Sequence, residues 1–142
     1  MREIVLINIA GEDRPGLTAA ITGALAEGGV IILDLGQAVL HDSLSLAILA
    51  QIPQTAEAAS VRQAVQAVAQ ELGQQVRFTT LSAEDYQRWV EARNTPRHTV
   101  TLLSRQVTAE QVQRVSAITA SNGLGIERIE RLEEEKKGIG DD

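Results

Sequence analysis

The sequence predicts an α+β fold, a four-stranded sheet with two helices packed on one face. Three observations carry this. Apolar residues alternate with a period of two from Leu44 to Ile52. They recur at three- and four-residue steps after Leu17 and again after Val61, as on one face of a helix. Glycine or proline stands at nearly every change of period. The resulting order is strand, helix, strand, strand, helix, strand, which two βαβ halves assemble into the split βαβ, or ferredoxin-like, arrangement.

Residues 3–9 are β-branched and apolar on both faces and read as a central strand covered on both sides. The pattern breaks from Gly11 through Gly16. Pro15 suits a first helical turn, and Asp13 is placed to cap that helix or to complement its dipole. Leu17, Ala20, Ile21, Ala24, Leu25 and Gly28 then share one helical face, and Gly28-Gly29 stops the helix. Residues 30–40 are strand-like and His41-Asp42-Ser43 is a turn. Leu44, Leu46, Ile48, Ala50 and Ile52 form one face of the next strand, which Pro53 ends. Val61, Val65, Val68 and Leu72 mark a second helix with its stop at Gly73. Residues 75–81, with Val76 and Phe78 on one side, complete a first domain over 1–81 and leave one sheet face open.

Residues 82–97 read as a connector. Ser82 caps a helix whose Tyr86, Trp89, Val90 and Arg93 share a face, and Pro96 disfavours helix at Thr95 in the linker that follows. The pattern then restarts over 98–132 as a partial second unit. His98–Leu103 is strand-like, and Thr108 to Gln111 is a capping box. Val112, Val115, Ile118 and Thr119 share a helical face, and Asn122-Gly123 stops that helix. Residues 126–132 read as a strand, although apolar residues at 126, 129 and 132 also fit a helix. A second half of roughly 30–40 residues is missing if this unit mirrors the first. The chain is therefore expected to be a piece of something longer or to pair with another chain. Residues 133–142 carry no core pattern and are expected to fray.

Composition narrows the function. Of 142 residues, 44% are hydrophobic but only 2% aromatic, so the core is aliphatic and buries little area per residue. The absence of cysteine excludes disulfides, thiolate nucleophiles and cysteine-based zinc sites. A net charge of −6 with no stripe of Lys and Arg makes a poor nucleic-acid binder. No apolar run approaches the ~18–20 residues that span a bilayer, and no signal-peptide pattern opens the chain. The expected compartment is the cytoplasm, with no membrane partner.

No catalytic constellation is legible. His41 and His98 fall in a turn and at a strand start, where solvated histidines are ordinary, and no carboxylate set stands at ligand spacing from either. There is no Gly-x-Ser-x-Gly elbow and no Walker A loop. The aspartates at 13, 34, 42, 85, 141 and 142 form no Asp-x-Asp pair, so the nucleophile and acid–base pair of many phosphotransferases has no candidate. No metal or cofactor is expected in this chain.

Gly11, Glu12, Asp13, Arg14, Pro15, Gly16 and Leu17 differ from the rest. They leave a buried strand and enter a helix through two glycines and a proline. Such a loop turns backbone N–H groups toward solvent at a helix N-terminus, where a carboxylate can bind. The same segment also reads as a plain strand-to-helix turn.

Gly-Glu-Asp-Arg-Pro-Gly-Leu-Thr at 11–18, followed by Gly-Gly-Val-Ile-Ile-Leu-Asp at 28–34, resembles an ACT domain. That resemblance implies a ferredoxin-like fold, dimerisation, and amino-acid binding at the loop with a contribution from the neighbouring subunit. Residues 1–8, 33–38, 75–79, 84–90 and 97–103 together resemble the N-terminal regulatory region of bacterial phosphoserine phosphatases. There, two ACT-like units precede a haloacid-dehalogenase-type catalytic domain that releases L-serine, and Mg2+ would be expected in that domain. The resemblance implies that this chain is regulatory, inactive in isolation, homodimeric through sheet or helix faces, and a candidate sensor of a small amino acid such as L-serine.

Three departures matter. Ile31 stands where ligand-binding relatives often carry Asn, and an aliphatic side chain offers no hydrogen bond. Gly11 and Asp13 stand where some serine-binding relatives carry His or Asn. The restart has Ser104-Arg105-Gln106-Val107 in place of the loop motif, so it reads as a structural partner. A purely structural dimerisation module and a stand-alone tandem-ACT regulator therefore stay open as alternatives.

Overall fold

A computed structural model describes residues 3–53, 58–93 and 98–130. The expected linker at 94–97 and tail at 133–142 lie outside the described residues, as does the end of the strand expected over 126–132. The chain divides into two compact units, Met1–Pro96 and Arg97–Asp142.

The first unit contains β1 (Glu3–Glu12), α1 (Leu17–Glu27), β2 (Ile31–Leu40), β3 (Ser43–Ile52), α2 (Ala58–Glu71), β4 (Gln75–Thr80) and α3 (Ala83–Arg93). The four strands form one antiparallel sheet in the order β2-β3-β1-β4, as the split βαβ arrangement requires. Register follows the hydrophobic pattern. Val5, Ile7 and Ile9 of β1 pair with Ala50, Ile48 and Leu46 of β3, and all six side chains are buried. Leu17, Ile21 and Leu25 of α1 and Val61, Val65 and Ala69 of α2 close the core over that face. Shifting β3 by one residue would turn its whole apolar set outward, so this register is strongly fixed.

β1 is central, as expected, but it is not covered equally on both sides. Ile4 and Leu6 on the face away from α1 and α2 are half-buried, and Asn8 and Ala10 are exposed. Both helices pack on one face, so only alternate residues of β1 reach the core. The strand also runs to Glu12, three residues beyond its apolar stretch, because β3 continues to pair with it as far as Ser43.

β2 is an edge strand. Ile31, Ile32, Leu35, Val39 and Leu40 are 41–82% exposed. A bulge between Ile32 and Asp34 leaves Leu33 without a partner across the ladder. The Asp34 carboxylate accepts the Leu35 N–H beside it at 2.9 Å.

In the second unit α4 (Ala109–Ser121) is the regular element among the described residues. Its capping box is complete: Thr108 Oγ1 accepts from the Gln111 N–H, and the Gln111 side chain accepts from the Thr108 N–H. Gly123 adopts φ 72° just past the helix end. The expected strand at His98–Leu103 does not form, nor does one over 124–130. Apolar alternation specifies a strand only when a neighbour accepts its hydrogen bonds, and this unit supplies none in the described residues. No side chain of α4 is buried.

Candidate functional site

The Gly11–Leu17 segment leaves β1 and turns into α1 by a left-handed step at Gly16, φ 83°. Pro15 suits a first helical turn but precedes the helix. Gly16 occupies the cap position, and no side chain caps α1. The expected cap, Asp13, instead directs its backbone N–H to the Asp42 carbonyl at 2.7 Å. The Leu17 N–H returns to the Arg14 carbonyl at 3.2 Å, and the first helical bond runs from the Ala20 N–H to the Gly16 carbonyl at 2.9 Å. With glycine as the cap, the Thr18 and Ala19 amides have no carbonyl one turn back. They face the same end as exposed Asp13, Arg14, Pro15 and Gly16. An anionic group fits such an end on electrostatic grounds.

The segment is tied down at three points, two toward the edge strand and one on the other side. Toward the edge strand, Asp13 bonds to the β2–β3 turn, where His41 has φ 58° and its Nδ1 lies 2.8 Å from Asp42 Oδ1. Thr18 Oγ1 donates to Gln37 Oε1 of β2. On the other side Gln74, 7% exposed, donates from Nε2 to the Glu12 carbonyl at 2.8 Å and to the Leu72 carbonyl at 3.3 Å. Its Oε1 is buried without a partner against Gly11. Gln74, Asp42 and Gln37 were not legible as site neighbours. Only the strand register brings them to the loop.

The sequence-derived residues do not all converge. Glu12 to Gly16 are exposed at the loop, Gly11 is half-buried beside Gln74, and the Leu17 side chain belongs to the core. Ile31 sits at the opposite end of the sheet. It pairs with Gln51, whereas Gly11 and Glu12 pair with Leu44 and Ser43. Eight residues of β3 separate the two ends, about 26 Å at strand rise. Within one chain, Ile31 and the loop cannot share a ligand. Ile31 lies instead near a shallow cleft of about 450 Å³ lined by residues including Ile4, Gln51, Ser82 and Tyr86.

Among the described residues no group of three or more His, Asp or Glu side chains could hold a metal ion. None of the described helices is long and apolar enough to cross a membrane.

These features define a ferredoxin-like α+β module with an amide-bearing loop after its first strand. The chain belongs to the ACT domain family, whose profile matches residues 3–79. It is 31% identical over 126 residues to phosphoserine phosphatase SerB2 of Mycobacterium tuberculosis, covering 88% of this chain and 30% of that protein. It is 30% identical over 128 residues to a phosphoserine phosphatase of Streptomyces coelicolor, covering 90% of this chain and 30% of that protein. The chain thus spans under a third of the length of these two relatives. A UPF0237 protein of Methanocaldococcus jannaschii is 30% identical over 73 residues, 51% of this chain and 81% of that protein. Among solved structures, a protein of unknown function from Galdieria sulphuraria shares the fold with a TM-score of 0.61 at 15% identity, covering 87% of this chain and 66% of that one.

Proposed function

We propose that this chain is the amino-acid-sensing and dimerising regulatory region of a phosphoserine phosphatase of L-serine biosynthesis, working in the cytoplasm. The observation that carries the reading is the reach of the two phosphatase similarities. At 126 and 128 residues they run well past the ACT match at 3–79. In this reading the Mg2+-dependent chemistry belongs to a haloacid-dehalogenase-type domain outside residues 1–142.

The sheet geometry suggests how a complete ligand site would arise. Antiparallel pairing of two β2 edges would set Ile31 of one copy beside the Gly11–Leu17 loop of the other. The ligand carboxylate would then rest on the Thr18 and Ala19 amides, with Asp13 near its ammonium group. Ile31 contributes only apolar contact, so recognition would rest on the loop. Calorimetric titration of L-serine and other small amino acids into the chain tests this. Heat at millimolar ligand or tighter supports sensing; neither heat nor a melting shift removes it.

A second reading is a stand-alone regulator acting through protein–protein contacts. It is favoured by the UPF0237 relative, 81% of whose length is covered by this chain. A phosphatase assay on the full-length gene product, with and without L-serine, separates the two readings.

A further inference from the structure

α3 crosses the sheet from one edge to the other. It starts directly after β4, where Ser82, Ala83 and Tyr86 line the cleft with Ile4 of β1 and Gln51 of β3. It ends at β2, where Arg93 Nη1 donates to the Leu33 carbonyl at 3.4 Å. Tyr86, Trp89 and Val90 are half-buried on α3. Leu49 lies on the face away from α1 and α2, opposite Leu6 and Asp34, yet it is only 6% exposed. Among the described helices of this unit, α3 is the one left to cover it.

The contact with Leu33 falls at the bulge. Leu33 has no ladder partner, so its carbonyl is open to a side-chain donor. Arg93 is held for that role. Its guanidinium lies over the Trp89 ring at 4.8 Å, and Trp89 stacks on Tyr86 with ring centroids 5.8 Å apart. Arginine suits this because its planar fork can stack and donate together. The contact is two residues from Ile31, which would face a partner's loop if two β2 edges paired.

We propose that α3 is a clasp on the β2 bulge. Arg93 fixes the Ile31–Leu33 stretch when docked, and a change at that stretch is passed through the Trp89 stack to the segment leading out of the domain. The regulatory half of this inference rests on the sensing reading above; the clasp itself does not.

Trp89 is the only tryptophan in the chain, so it reports α3 directly. The full chain is compared with Arg93→Ala and Arg93→Lys by hydrogen exchange across residues 31–35 and by Trp89 emission. Arg93→Ala is expected to speed exchange there about tenfold while the β1 and β3 core amides stay protected. Its Trp89 emission is expected to shift to the red, with Arg93→Lys between the two. Unchanged exchange and emission in Arg93→Ala overturn the clasp. L-serine is then titrated into each protein. Calorimetric heat in all of them, with a Trp89 response in the parent lost in Arg93→Ala, supports the transmission; a response retained in Arg93→Ala overturns it. If the parent shows no heat, the sensing reading and the transmission fall together, and the exchange result alone decides the clasp.

Discussion

Gly11 and Gln74 compete for one volume. A Cβ on residue 11 would lie 2.6 Å from Gln74 Cδ, well inside contact distance, while Gln74 Nε2 holds the Glu12 carbonyl. A side chain at 11 would therefore force the Gln74 amide to shift, and this close approach, not the backbone angles, is the constraint at Gly11. Gly11→Ala is expected to destabilise the chain by about 1–3 kcal/mol, the usual cost of overpacking. Adding Gln74→Ala frees the space and recovers part of that loss. Denaturant melts of the two single variants and the double variant measure the coupling.

Gly16 is constrained differently. A Cβ there meets nothing within 4 Å, but φ is +83°. Gly16→Val is expected to cost about 1–2 kcal/mol from conformation alone, whereas Gly16→Asn, which tolerates this region, costs less. Thermal melts of the two variants distinguish conformational strain from crowding, which would penalise both.

Ile7 and Ile48 face each other at the centre of the sheet, both fully buried. Truncating either to alanine leaves a cavity and is expected to cost about 2–5 kcal/mol. A urea midpoint falling without a change in slope checks this.

Ile31→Asn adds a hydrogen-bonding group at the start of β2. If paired edges bring this position to a partner's loop, L-serine binding tightens about two- to tenfold, the worth of one net hydrogen bond. Calorimetry on the variant and the parent reads the ratio.

Leu35→Lys places a charge on the exposed edge strand. Lysine there opposes edge-to-edge pairing, so a dimer formed through β2 becomes a monomer while the fold is kept. Sedimentation velocity together with a circular dichroism melt checks both halves of this expectation.

Much of the fold was legible because local and tertiary patterns agree. Leu44 to Ile52 alternate and are buried as a set, and Thr108 with Gln111 announced the start of α4. The failures occur where one segment depends on another. Pro15 and Asp13 looked like helix-start residues, but the chain enters α1 by a left-handed glycine that displaces them. His98 to Leu103 has strand composition without a strand beside it. Helical spacing puts Tyr86, Trp89 and Arg93 on one face, but spacing alone does not say what that face covers. Resemblance groups Ile31 with the loop, and only register shows them at opposite ends of one sheet.

The pairing of β1 with β4 joins Val5 to Thr80. A chain emerging from the ribosome at about 5–20 residues per second therefore presents β1 for several seconds before β4 arrives. During that interval Val5, Ile7 and Ile9 have at most β3, α1 and α2 against them. Nascent chains stalled before and after residue 80 should differ sharply in protease resistance, and holding chaperones should prefer the shorter ones.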